Sequence, residues 1–265
     1  METLVNPGNR VLVPDPGFVS YAALATFAGG RPEGVKLDET LHIDIEQAKE
    51  QMDGARLFVL NSPANPTGAV ESEESIRAIV EYASDRGVTV VSDEVYEHFV
   101  YEKRHVSAGQ FSDDVVTINA ASKTYAMTGW RIGYLAAPEY YIPEFLKVHQ
   151  YAQACATSIS QYAALAAYTG DQQPVVQMRE EYRARRDLLY KGLSSLGLDL
   201  PRPEGAFYAF VPMGRNLIEK AIKDGIIIVP GVAFGSQAPD HARFSYATSQ
   251  ENLSRAVERL SALVE

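Results

Sequence analysis

Across the first two-thirds of the chain, short apolar runs alternate with helical stretches, and that alternation leaves few architectures open. Residues 10–13 read as a strand stopped by Pro14 and Pro16, and residues 21–27 as a helix closed by Gly29-Gly30. Residues 56–60 form a buried apolar strand, and residues 61–68 a turn punctuated by Pro and Gly. Ile76, Ile79, Val80 and Ala83 then fall at helical spacing, with Gly87 placed to end that helix. Residues 88–91, 115–118 and 132–136 read as further strands. Strands apolar on both faces and separated by helices predict an α/β fold, a mostly parallel sheet sandwiched by helices.

The composition shifts near residues 178–190. A long charged helix is expected over 180–196, then short strands at 206–211, 225–229 and 244–246, and a closing helix over 250–264. This predicts a large unit over residues 1–178 and a small C-terminal α+β domain over 179–265. The 46% hydrophobic and 22% charged content exclude disorder, collagen and a disulfide scaffold. No apolar run approaches the roughly 18 residues of a membrane helix, and Met1-Glu2-Thr3 does not open a secretory leader. Cys155, the single cysteine, is expected to be a small core residue, and a reducing cytoplasm the natural location. A net charge of −10 argues against nucleic-acid or anionic-membrane partners.

In open α/β sheets, ligands bind beyond the carboxyl ends of the strands, so the residues following each strand are the informative ones. They are Asn61-Ser62-Pro63-Ala64-Asn65-Pro66-Thr67-Gly68, Ser92-Asp93-Glu94-Val95-Tyr96, and Asn119-Ala120-Ala121-Ser122-Lys123 continuing to Thr128-Gly129-Trp130-Arg131. Amide, carboxylate, phenol, ammonium and guanidinium groups thus converge on one rim. Taken singly, each has an ordinary explanation as a turn, a helix cap, a solvated lysine or a surface arginine. The five histidines, His42, His98, His105, His149 and His241, show no metal-ligand spacing, so no metal site is expected. Asn252-Leu253-Ser254 is a formal glycosylation sequon that a cytoplasmic chain would not use.

Taken together, the three stretches resemble the class I/II aminotransferases, fold-type I enzymes that use pyridoxal 5′-phosphate. The matching residues occur in the family's order, 28 residues apart from Asn65 to Asp93, 30 from Asp93 to Lys123 and 8 from Lys123 to Arg131. The resemblance runs from about Pro7 to the C-terminus and lies nearest the aspartate and aromatic subgroup. It implies that Lys123 is the Schiff-base lysine, which then moves the Cα proton as general base and acid. It implies that Asp93 keeps the cofactor's ring nitrogen protonated. It places Asn65 and Tyr96 on the ring's phenolate oxygen, and Arg131 on the phosphate. Phe18 stands where the family sets an aromatic ring over the pyridine face, although an ordinary core phenylalanine would look the same. Arg243, alone in a strand, would read as structural; the resemblance makes it the arginine that binds the substrate α-carboxylate, and Asn65 is expected to share in substrate binding.

Two departures from the family stand out. Three residues before the lysine, Ala120 replaces a common phosphate-binding Ser or Thr, a loss of about 1.5–3 kcal/mol if uncompensated. Met1 to Gly8 align inside the family's large domain, so the resemblance implies an N-terminally truncated chain. Such a chain is expected to lack part of its phosphate cradle and a tyrosine that serves the partner's site, and to expose a sheet edge. The resemblance implies ping-pong transamination between an aromatic or dicarboxylic amino acid and a 2-oxo acid, in a homodimer. Two alternatives remain open on the residues: a pyridoxal-phosphate lyase of the same fold, and a degenerate or non-catalytic pyridoxal-phosphate-binding protein.

Overall fold

The computed structural model describes residues 1–264. Its central sheet has the order β2-β1-β3-β4-β5-β6, formed by β1 (Arg10–Asp15), β2 (Arg31–Lys36), β3 (Leu57–Asn61), β4 (Thr89–Asp93), β5 (Val116–Ala120) and β6 (Gly133–Ala136). All neighbours run parallel except β6, which closes one side antiparallel to β5. Successive residues of one strand go to opposite faces. Leu12, Phe58, Leu60 and Val90 pack with Ile76, Ile79, Val80 and Ala83 of α3 (Glu73–Asp85). On the other face, Val11, Val13, Leu57 and Val59 pack with Tyr21 and Ala25 of α1 (Ser20–Phe27). Both faces are therefore covered, as continuous apolar strands require.

Several elements depart from the expectation. β1 does not stop at Pro14 but continues to Asp15, because its pairing with β3 ends at Leu12 while its pairing with β2 runs on to Asp15. β2 and α2 (Ile45–Met52) carried no readable pattern. β2 is an edge strand in which only Val35 is buried, and its Pro32 and Gly34 disguise it. Helices α5 (Ile142–Ala152) and α6 (Ser158–Thr169) were likewise unread. Cys155, expected in the core, is exposed in the connection between those two helices, where almost every residue faces outward.

The C-terminal part builds on α7 (Gln173–Ser195), which begins earlier than expected and runs unbroken through residue 178. Strands β7 (Tyr208–Pro212), β8 (Val229–Pro230) and β9 (His241–Ser245) form an antiparallel sheet in the order β7-β9-β8. The strand expected over 225–229 shrinks to two residues, and the one expected at 244–246 starts three residues earlier, both set by pairing with β9 or β7. Helices α8 (Arg215–Lys223) and α9 (Gln250–Val264) complete this part. Hydrogen bonds at the end of β1 and in the loop after it join the two parts. Gly17 N donates to Phe234 O at 2.8 Å. Asp15 accepts from Ser236 Oγ at 2.9 Å and from the backbone amides of Ser236 and Gln237.

Candidate active site

The register of the large sheet brings three carboxyl ends to one rim. Asn61 lies beside Asp93, and Asp93 lies beside Ile118, two residues before β5 ends. Asn61 ties the rim together: its Nδ2 donates to Asp93 O at 3.0 Å, and its Oδ1 accepts from Asn65 N at 3.0 Å. The turn then closes at Gly68, whose φ is +76° and where a Cβ would lie 2.6 Å from Tyr208 O. Only glycine allows that approach, and it delivers Asn65 to the small sheet. There Asn65 Oδ1 accepts from an Arg243 terminal nitrogen at 2.9 Å.

Asp93 Oδ2 accepts the Tyr21 hydroxyl at 2.6 Å, and Oδ1 accepts Val95 N at 3.3 Å. Burial pushes the Asp93 carboxyl's pKa up, against the opposing pull of the Tyr21 bond and the Lys123 charge. Burial and the neighbouring Asp93 push the Tyr21 hydroxyl's pKa well up, so it remains a donor. Tyr96 is buried, with its ring edge-on to Phe207 and Tyr208 and its oxygen 3.1 Å from that of Tyr208. Burial raises its pKa as well.

Lys123 sits in α4 (Ala121–Thr124), the single turn of helix that follows β5. Its Nζ lies 5.6 Å from the Tyr96 ring centre and 5.8 Å from that of Phe207, and it makes no ion pair or hydrogen bond among the described residues. Burial lowers its pKa; Asp93 opposes that shift, while Arg131 and Arg243 add to it. Arg243, on β9, has its guanidinium 4.5 Å from the Tyr208 ring centre and 4.8 Å from that of Phe234. Its Nε is buried and has no partner among the described residues.

The structure therefore brings Asn65, Asp93, Tyr96, Lys123 and Arg243 to one place. Phe18 is half-buried against Tyr21, with ring centres 5.5 Å apart, one residue from the Gly17–Phe234 bond. Arg131 stands at the exposed margin in a left-handed conformation (φ +52°), its guanidinium bonded to Thr128 O at 2.8 Å. Ala120 occupies the cap position of α4, where no side chain caps the helix. Tyr21, Tyr208 and Phe234 touch site residues and escaped the sequence reading, because each lay in a run legible only as helix, strand or loop. The one available signal for Tyr208 was its place in a strand of the same small sheet as Arg243.

Away from this centre, Glu94, Glu97 and His105 gather donor atoms within 4.8 Å, a grouping that sequence spacing did not suggest. Hydrogen bonds occupy it. Glu94 accepts from Ser92, Ser107 and Ala108 N and pairs with His105 at 3.0 Å, while Glu97 accepts from Asn119.

Comparison with known proteins places this geometry among relatives. Residues 1–260 match the family model described as aminotransferase class I and II. A probable aspartate aminotransferase of Methanocaldococcus jannaschii is 43% identical, over 99% of this chain and 73% of the relative. Aromatic-amino-acid aminotransferase 2 of Thermococcus litoralis is 37% identical, over 100% of this chain and 72% of its own length. Among solved structures, the aspartate aminotransferase of Thermus thermophilus with maleate superposes with a TM-score of 0.94 at 38% identity, covering 99% of this chain and 72% of that one.

Proposed function

The chain belongs to the class I and II aminotransferases, and from that membership we propose how its residues divide the work. It is a pyridoxal-phosphate-dependent aminotransferase acting on an amino acid and a 2-oxo acid. The bound cofactor supplies an aldehyde that takes up the amino group and a conjugated ring that accepts the electron pair released at the substrate's α-carbon.

The residues present fit such a group. Lys123 offers a half-buried amine with no ion pair among the described residues, and burial lowers its proton affinity, a shift toward the neutral form that attacks a carbonyl. Asp93 offers a carboxylate with no ion pair among the described residues, and it would hold a protonated ring nitrogen. Tyr96 and Asn65 would donate to the ring's phenolate oxygen, Arg131 would pair with the phosphate, and Phe18 would cover one ring face. The orphaned Nε of Arg243 is a donor awaiting an acceptor, and the α-carboxylate of the substrate supplies one. With the substrate so anchored, Lys123 would serve as the base that removes the α-carbon proton and the acid that gives it back. The substrates are of the aspartate or aromatic type, a reading supported by the names of the relatives.

The single observation that carries this reading is the Lys123 amine, unpaired among the described residues, 5.6 Å from the Tyr96 ring centre and within the electrostatic reach of Asp93 and Arg243. The test is an absorbance spectrum of the purified chain with pyridoxal phosphate, then borohydride reduction and mapping of the modified lysine. A visible band trapped on Lys123 and shifted by added amino acid is expected. Labelling scattered over surface lysines would overturn the assignment.

We assign the domain boundary to α7, with residues 1–178 forming the cofactor-binding part and 179–265 the small domain. A homodimer is supported by the exposed apolar residues of α5, α6 and their connection, Tyr151, Ile159, Tyr162 and Leu165 among them. A cytoplasmic location is supported by the single cysteine. No helix among the described residues is long and apolar enough to cross a membrane.

A further inference from the structure

Tyr208 touches two of the proposed site residues, one from each part of the molecule, and uses a different portion of its side chain for each. On β7 it pairs with Ser245, so Arg243 lies diagonally across on the same face of the small sheet, within reach of a long side chain. The Arg243 guanidinium sits over the Tyr208 ring at 4.5 Å, and the Phe234 ring centre is 4.8 Å from it. The Tyr208 hydroxyl meets the Tyr96 hydroxyl at 3.1 Å, and the two rings pack edge to face at 5.9 Å. Tyr208 is only 7% exposed and Tyr96 3%, so water competes little for either contact. The Tyr208 backbone also forms the surface against which Gly68 closes the Asn65 turn.

We propose that Tyr208 is a positioning residue with two separable actions. Its ring holds the Arg243 fork at the angle needed to take a carboxylate, and its hydroxyl orients the Tyr96 phenol toward the cofactor. A guanidinium bonded on one side to Asn65 still has freedom to swing; contact with the Tyr208 ring narrows that swing. A phenol that accepts a hydrogen bond becomes a better donor in turn, so Tyr208 strengthens whatever bond Tyr96 makes to the ring oxygen. The inference rests on the functional reading above.

The two actions predict different results for two substitutions, each made in the full chain loaded with pyridoxal phosphate. Tyr208→Phe keeps the ring and removes the hydroxyl. The pH midpoint of the cofactor's visible absorbance should rise by about half a unit, while the KM for the amino donor stays within about twofold. Tyr208→Met removes both features. The midpoint should rise similarly, and KM should increase about tenfold through the lost face contact, with a smaller change in kcat. Thermal melting of each variant shows whether it is folded, and Tyr208→Phe, which loses one oxygen, keeps the test decisive if Tyr208→Met is not. An unmoved midpoint in Tyr208→Phe overturns the proposal, as does an unmoved KM in folded Tyr208→Met. A wild-type chain that forms no cofactor band on Lys123 instead overturns the functional reading itself, so the two failures are distinguishable.

Discussion

Glu71 shows what burial does to a single ionisable residue in this protein. One carboxyl oxygen accepts Ile43 N at 3.0 Å; the other is buried with no partner among the described residues. Burial pushes its pKa up to about 7, against the Ile43 bond and the nearby His42 charge that pull it down. A raised carboxyl favours the protonated folded state, so this contribution to stability is complete below the unfolded value near 4.5 and is lost as pH climbs through 7. Glu71→Gln should therefore be more stable than wild type at pH 8 by about 2–3 kcal/mol, with the gap closing toward pH 4.5. Urea unfolding of both proteins at several pH values reads that difference directly. Nothing around Ala69-Val70-Glu71 marks such a residue in the sequence, because its environment comes from Ile43 and His42, far away along the chain. Lys123, Asp93 and Asn65 were legible for the opposite reason: each follows a strand, and their types and spacing match a known chemistry. Tyr21 and Tyr208 were not, since a tyrosine in a helix or strand looks the same whether it packs or serves a site.

Among the elements, α3 was readable from its periodic apolar face, whereas the edge strand β2, which has none, was missed. α3 carries buried residues at helical spacing, the Ser72 side chain accepts Ser75 N at 3.1 Å as its cap, and Gly87 follows with φ +65°. β2 exists because β1 offers it a partner, and the strand expected over 225–229 is cut to Val229–Pro230, the residues that β9 pairs. α7 was legible as a charged helix, but its main anchor was not. Arg186 is 1% exposed, grips Glu102 with both terminal nitrogens at 2.7 and 2.6 Å, and donates to Pro203 O at 3.0 Å. Its guanidinium also lies 4.6 Å from the Tyr101 ring centre. It thereby clamps the helix to the segment after β4 and to the approach to β7. Arg186→Met should cost about 2–4 kcal/mol through the lost charged bonds and stacking. Chemical denaturation should show a lower midpoint with an unchanged slope, and Arg186→Lys should recover little, since an ammonium cannot reproduce the fork.

At the scale of the whole molecule, Tyr151 is 93% exposed, Ile159 74% and Tyr162 73%, an apolar concentration that water alone leaves poorly covered. The homodimer we propose predicts a sedimenting mass twice the 29.1 kDa of the chain at micromolar concentration. It further predicts that Tyr162→Glu shifts the population toward single copies; a wild-type chain sedimenting as a monomer would rule the dimer out. The order of apolar runs and helices determined the parallel sheet by itself, because a strand buried on both faces must be apolar throughout and needs a crossover to reach its parallel neighbour. The strand ends likewise determined which chemistry collects on the rim. Only the tertiary structure decided that Arg243 meets Asn65 from across the chain, that Tyr208 spans to Tyr96, and that Cys155 faces outward. Those outcomes depend on which surfaces meet once the two sheets dock. A local pattern records a residue's neighbours along the chain, whereas docking is set by the summed burial of surfaces whose residues are far apart in it.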